Sequence, residues 1–316
     1  MRVVVIDDTW PLDRARAILE PCGVTVEFNT EIAGDDVVAV LTYPGGKIGV
    51  DVLDAAPNLK AVGTCSTGFD HLAVDGLAER GVWCCRVTHF CDVEVVDHTM
   101  ALIYAVLRGV VMLDGLVREG TWWPYPRAPR PVRGSILGVV GFGAISRGLI
   151  TTASAVGMDV RVASEHAAAG DGAAAGGTLV PLDDLLGAAD VVAIMTSLTD
   201  RTRGLIDAAA IAKMRPDAYL VNTARAAIVD HLALGRALET GAIAGAALDV
   251  LPVEPAPADE PALTWPNTII QPHAAWYSAE SDRRSFDDAA EDVARVLRGE
   301  EPLNGMTRPV EVGPLA

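Results

Sequence analysis

A chain of 316 residues, half of them hydrophobic, holds enough apolar side chain for two domains of ordinary size, each with its own core. Its formal charge of −17 is spread along the chain, which excludes the basic face that nucleic-acid binding requires. No apolar run approaches the roughly 20 residues needed to cross a bilayer, and the strand-like run Val3 to Ile6 begins too close to Met1 to leave room for a signal peptide. A cytoplasmic protein is predicted, with no nucleic-acid and no membrane partner.

Short apolar runs alternate with helix-length amphipathic segments, the pattern of a parallel α/β sheet. In the first hundred residues strands are predicted at 2–6, 24–28, 37–41, 60–64 and 82–85, with helices near 12–20, 49–56 and 73–79. Asp92 to Glu119 then forms a long helical stretch, with Val95, Val96, Thr99, Leu102, Ile103 and Val106 at helical spacing. Thr121 to Pro126, followed by Pro129 and Pro131, cannot be helical and is predicted as an exposed arm. Trp122 and Trp123 either pack on a partner subunit or cover the arm's own domain. The strand pattern restarts at 136–140 and continues at 159–163, 178–180, 190–194, 218–222, 244–248 and 268–270, with a featureless surface loop at Ala167–Gly177. Cys22, Cys65, Cys84, Cys85 and Cys91 show no metal-ligand spacing and are odd in number, so neither a disulfide framework nor a metal site is expected.

The run Ile136 to Val140 leads into Gly141-Phe142-Gly143-Ala144-Ile145-Ser146 and then a helical stretch. In that context the first glycine permits a tight turn and the second lets a pyrophosphate approach the helix N-terminus. Ser146 replaces the third glycine of the fingerprint. An acid is expected about 20 residues on, to bind the ribose hydroxyls, and Ser164 occupies that register with Glu165 beside it. Glu165 repels a 2′-phosphate and no arginine adjoins it, so NAD is the expected cofactor, with NADP left open.

Three further segments each follow a predicted strand: Asn222-Thr223-Ala224-Arg225, Ala246 to Pro255 with Asp249 and Glu254, and Gln271-Pro272-His273 running on to Ser278. Residues just past the carboxyl ends of parallel strands line the ligand crevice, so Arg225, Glu254 and His273 are candidates for one site. Singly, each has a bland explanation: a surface ion pair, a solvated loop charge, a structural histidine. His71, His89, His98, His166 and His231 are assigned that structural role. An arginine, a glutamate and a histidine, each after its own strand, favour the catalytic reading.

In this order the segments resemble the D-isomer-specific 2-hydroxyacid dehydrogenase family. His273-Ala-Ala-Trp-Tyr-Ser278 and Glu94-Val-Val-Asp97 are most similar to the branch containing the C-terminal-binding proteins. The resemblance implies two Rossmann-like and flavodoxin-like doubly wound parallel-sheet domains with a cleft between them. Residues 1–96 plus 276–316 would be the substrate-binding domain and 97–275 the NAD(P)-binding one. Interconversion of a 2-keto acid and a D-2-hydroxy acid is implied, in a homodimer built on the long helix and the arm. Arg225 would bind the substrate carboxylate, His273 would act as acid or base, and Glu254 would orient the imidazole and favour its protonated form. Gly141, Phe142, Gly143, Ala144, Ile145, Ser164, Thr196, Ser197, Thr202, Thr223, Ala224, Arg225, Asp249 and His273 would border the cofactor, with the stretch Thr196 to Thr202 on its adenosine side. Ser66, Thr67 and Gly68 would meet the substrate, with Thr67 and Trp276 touching both ligands and Cys65 nearby. Two other functions remain open: a corepressor-like NAD(H)-sensing binding protein, and a same-fold dehydrogenase acting on a phosphonate or other anion. Thr67 stands where a phosphite oxidiser would carry a lysine.

Overall fold

The computed structural model describes residues 1–43, 46–168, 170, 172 and 175–309. The chain divides into two compact units, Met1–Cys91 with Ser278–Ala316, and Asp92–Tyr277. The divisions fall at 91/92 and 277/278, against the expected 96/97 and 275/276. Helix Asp92–Arg108 goes entire to the second unit, and Ser278 goes to the first as the cap of its last helix.

In the first unit five parallel strands, β1 (Arg2–Val5), β2 (Thr25–Phe28), β3 (Val37–Thr42), β4 (Ala61–Thr64) and β5 (Trp83–Cys85), lie in the order β2-β1-β3-β4-β5. That order is the flavodoxin-like doubly wound one. The central strands β3 and β4 are buried along their whole length, which explains their unbroken apolar sequence. Helix Ala279–Leu297 returns the chain to this unit. It opens on a capping box between Ser278 and Ser281, stacks Phe286 against Trp10 at 4.8 Å, and pairs Asp287 with Arg14.

The second unit is a seven-stranded parallel sheet of β6 (Ile136–Val140), β7 (Asp159–Ala163), β8 (Thr178–Leu179), β9 (Val191–Ile194), β10 (Tyr219–Asn222), β11 (Gly245–Leu248) and β12 (Thr268–Ile270). From one edge it reads β8-β7-β6-β9-β10-β11-β12, the dinucleotide-binding order extended by one strand. Alternate strand residues feed the two faces. Leu137, Val139, Val191, Ala193 and Val221 pack against Ile103, Leu107, Leu149 and Ile150, while Val140, Val192, Ile194 and Leu220 pack against Leu185, Leu186, Ile211 and Leu238. The strand order reverses between β6 and β9, and a ligand crevice belongs at the carboxyl ends of strands beside such a point.

The predicted helix over Asp92–Glu119 is two helices, Asp92–Arg108 and Val110–Arg118, bent by 58°. Gly109 causes the break: it adopts φ +62°, a left-handed conformation that glycine takes without steric cost. The first helix buries the positions its periodicity marked, whereas the second buries none. No single helix among the described residues is long and apolar enough to cross a membrane. Trp122 and Trp123, 78% and 72% exposed, do not cover the arm's own unit. Of the predicted loop Ala167–Gly177, residues 169, 171, 173 and 174 lie outside the described residues.

Candidate active site

Strand β6 ends at the glycine turn. Gly141 has φ +117°, and a Cβ there would lie 2.6 Å from the Met195 carbonyl oxygen, so no side chain fits. Gly143 faces open space, with nothing within 4 Å of where its Cβ would be. Helix Ala144–Ala155 starts immediately after it with no side-chain cap, and its first internal bond runs from Arg147 N to Gly143 O. The amides of Ala144 and Ile145 precede that bond and face an open approach, which suits a dinucleotide pyrophosphate. Arg147 lies 4.1 Å over the Phe142 ring and stiffens the turn. Ser146 leaves the turn intact, since its buried hydroxyl donates to Met195 O at 3.1 Å and takes the place of close glycine packing.

Strands β10, β11 and β12 are sheet neighbours, and their ladder continues past the strand ends. Asp249 N donates to Asn222 O at 2.9 Å and His273 N donates to Asp249 O at 2.8 Å. This zipper sets the three candidate loops side by side. On the first loop Asn222, 1% exposed, accepts from Ala224 N and donates from its amide to Arg225 O, both at 3.0 Å. Arg225 leaves that Asx-type turn half-buried, its guanidinium donating to Ala224 O at 2.8 Å. On the third loop His273 Nδ1 meets Glu254 Oε2 of the second at 2.6 Å. Burial alone would raise the Glu254 carboxyl, but its bond to His273, the His273 charge, the Leu251 amide and the Arg225 charge together hold it below the usual range. Glu254 is therefore the ionised acceptor and Nδ1–H the donor, which leaves Nε2 for another partner.

His273 holds φ +54°, an uncommon conformation for a side chain of this size that costs about 1–3 kcal/mol. Asp249 enforces it. Its carboxylate, 1% exposed, accepts from Ala274 N at 2.8 Å and Ala275 N at 2.9 Å while its own carbonyl receives His273 N. Burial pushes the Asp249 carboxyl up, with the Ala275 and Ala274 amides and the nearby His98 and His273 rings pulling it back; His98 Nε2 is 3.8 Å away. Asp249→Asn turns an amide nitrogen toward one of these donors, so it should cost about 1–3 kcal/mol in urea unfolding. Unchanged stability would contradict the clamp.

The remaining predicted residues divide between the two units. Thr196, Ser197 and Thr202 form the loop after β9, where Thr202 Oγ1 donates to Ser197 O and accepts from Thr199 N, both at 2.7 Å. Thr223 is hydrogen-bonded to Thr99 at 2.9 Å, and Trp276 is half-buried with its ring edge-on to Tyr277. Ser66, Thr67 and Gly68 belong to the first unit, on the turn after β4, where Ser66 Oγ donates to Gly68 O and Thr67 Oγ1 to Val87 O. Cys65 is buried there, and burial pushes its thiol well above the ordinary range, so no thiolate nucleophile arises. A second histidine–carboxylate pair, His231 Nε2 and Glu260 Oε1 at 2.7 Å, is structural: Glu260 caps the turn Pro261–Thr264 and His231 packs on Trp265.

No side-chain role was expected for Asn222, nor for Thr99 beyond helix packing, and Arg201 was expected only as part of the Thr196–Thr202 stretch on the adenosine side. An asparagine directly after a buried strand was the available signal for an Asx turn. Arg201 pairs with Glu165, although no arginine adjoins Glu165 in the chain. The fold brings this cation to Glu165 from 36 residues away.

A histidine bonded to an ionised carboxylate, at the carboxyl ends of the same sheet that carries a glycine turn at a helix N-terminus, suits a nicotinamide-dependent oxidoreductase. Residues 100–275, more than half of the chain, match the family described as D-isomer specific 2-hydroxyacid dehydrogenase, NAD binding domain. Among curated relatives, glyoxylate reductase of Thermofilum pendens is 36% identical over 274 residues, 84% of this chain and 80% of that one. D-3-phosphoglycerate dehydrogenase of Mycobacterium tuberculosis is 33% identical over 83% of this chain, which spans 49% of that enzyme. A solved protein of Thermus thermophilus superposes with a TM-score of 0.87 at 31% identity, covering 97% of this chain and 100% of that one. The NADPH-dependent glyoxylate/hydroxypyruvate reductase of Sinorhizobium meliloti, solved with NADP and malonate, gives 0.86 at 25% identity, over 99% of each chain. The chain belongs to the D-isomer-specific 2-hydroxyacid dehydrogenase family. It is an NAD(P)-dependent oxidoreductase that interconverts 2-keto and 2-hydroxy acids.

Proposed function

We propose that this enzyme reduces a small 2-keto acid such as glyoxylate to the corresponding 2-hydroxy acid, with Arg225, Glu254 and His273 as its working residues. The observation that carries the assignment is the 2.6 Å contact of His273 Nδ1 with an ionised Glu254, on strand ends adjoining that of Arg225. A bound reduced nicotinamide supplies the hydride. Residues Gly141 to Ile145 would hold its pyrophosphate, with Thr223, Ala224 and Asp249 toward the nicotinamide end. Arg225 presents a planar fork that suits the substrate carboxylate. His273 carries its transferable proton on Nε2 and delivers it to the ketone oxygen as that oxygen gains charge. Glu254 fixes the orientation and tautomer of the ring through Nδ1. In the reverse direction the same nitrogen accepts the hydroxyl proton.

The similarity to glyoxylate reductases supports a small substrate. The test is a panel of 2-keto acids, small to aromatic, assayed with NADH and NADPH in parallel. Fastest turnover of the smallest members is expected. Binding of dinucleotide with no turnover of any member would instead fit a nucleotide-sensing protein.

A homodimer is part of the proposal. Val110, Val111 and Val117 of the second helix are more than half exposed, as are Trp122 and Trp123, and apolar side chains of this size favour burial against a second copy of the chain. Light scattering should report twice the 33.1 kDa chain mass, and a Val111→Asp, Trp123→Ser variant should run as a folded monomer. A monomeric parent protein at micromolar concentration would refute this interface. We place the enzyme in the cytoplasm: its five cysteines are free thiols, four of them buried, which suits a reducing compartment.

A further inference from the structure

Two side chains reach toward each other across the mouth of β6. Glu165 lies just past β7 on one side, and Arg201 comes from the loop after β9 on the other; in the sheet order β7-β6-β9 the glycine turn at the end of β6 lies between them. They form an ion pair with both side chains 69% exposed. Beside them stands Ser164, in the register where an acid would accept the ribose 2′-hydroxyl and repel a 2′-phosphate. Ser164 can do the first only weakly and the second not at all, and its Oγ accepts from His166 N at 3.2 Å.

We propose that Arg201 is the residue that recognises the 2′-phosphate of NADP, exchanging the Glu165 carboxylate for the phosphate, so that this chain accepts both NADH and NADPH. The proposal rests on the dinucleotide-binding reading of the glycine turn. An exposed ion pair contributes little net stability, so releasing Glu165 is cheap. A phosphate monoester carries more charge than a carboxylate and offers three oxygens to the guanidinium fork, so it is the stronger partner. The loop that carries Arg201 is braced on both sides of it. Thr202 Oγ1 donates to Ser197 O at 2.7 Å, Thr202 N donates to Thr199 O at 3.1 Å, and Arg203 N donates to Thr199 O at 2.9 Å. The guanidinium can therefore swing between partners while its backbone stays in place. Glu165 then sets the balance: it is a competitor for Arg201 when NADPH binds and a mere surface ion when NADH binds.

Fluorescence titration of the full chain with NADH and with NADPH tests this, read as the ratio of the two dissociation constants. Arg201→Gln should shift the ratio against NADPH by about tenfold or more, the worth of a charge-assisted contact to phosphate. Glu165→Gln, which removes the competitor and keeps Arg201, should shift it toward NADPH, and added salt should weaken NADPH more than NADH. An unchanged ratio in Arg201→Gln, or equal weakening of both dinucleotides, overturns the proposal while leaving the dinucleotide reading standing. Failure of the parent protein to bind either dinucleotide overturns both.

Discussion

Replacing His273 with alanine lowers kcat by about 10²–10⁴-fold, the usual contribution of a positioned acid–base group, and leaves the dissociation constant of NADH within a small factor. Two features lead to this expectation. The His273 ring meets an ionised carboxylate on a neighbouring strand end, through Nδ1 at 2.6 Å. Its backbone is also held left-handed by the Asp249 clamp, an arrangement that aims the ring. The glycine turn lies at the end of β6, on the far side of β9 and β10 from β12, so dinucleotide affinity should survive. Glu254→Gln keeps the contact but loses the charge, and should give an intermediate loss. Turnover near the parent value in His273→Ala would remove this residue as the acid.

Replacing Arg225 with alanine raises KM for the keto acid and lowers kcat/KM by about 30- to 5,000-fold, the range set by losing one partner of a desolvated charge pair worth about 2–5 kcal/mol. Arg225→Lys should recover only part of this, because a lysine ammonium is a point charge and cannot engage both carboxylate oxygens in one plane. The Asx turn made by Asn222 holds the loop by backbone contacts, so neither variant should unfold the protein. Loss of folding, or a fall in kcat with KM unchanged, would show that Arg225 serves a different purpose.

The strands were legible because parallel strands covered on both faces read as short unbroken apolar runs, as in Val191–Ile194 and Gly245–Leu248. The long helix was legible through its buried stripe, but its break was not: Gly109 sits inside an apolar stretch, and only its positive φ reveals the bend. The contact of Glu254 with His273 could be anticipated only as a convergence of strand ends. Its realisation depends on β11 and β12 being neighbours, which periodicity does not encode. The same holds for Asp249, whose clamp joins residues 25 and 26 apart, and for Arg201 with Glu165, whose meeting depends on β7 and β9 flanking β6. Local chemistry could be read from the chain, whereas contacts set by sheet order could not.

The configuration of the product tests the assigned reaction most directly. With NADH or NADPH and a keto acid that yields a chiral product, such as pyruvate, this enzyme should consume dinucleotide and keto acid one for one and release the D-2-hydroxy acid. Release of the L-isomer, or no reduction of any 2-keto acid by protein that binds the dinucleotide, would rule that reaction out.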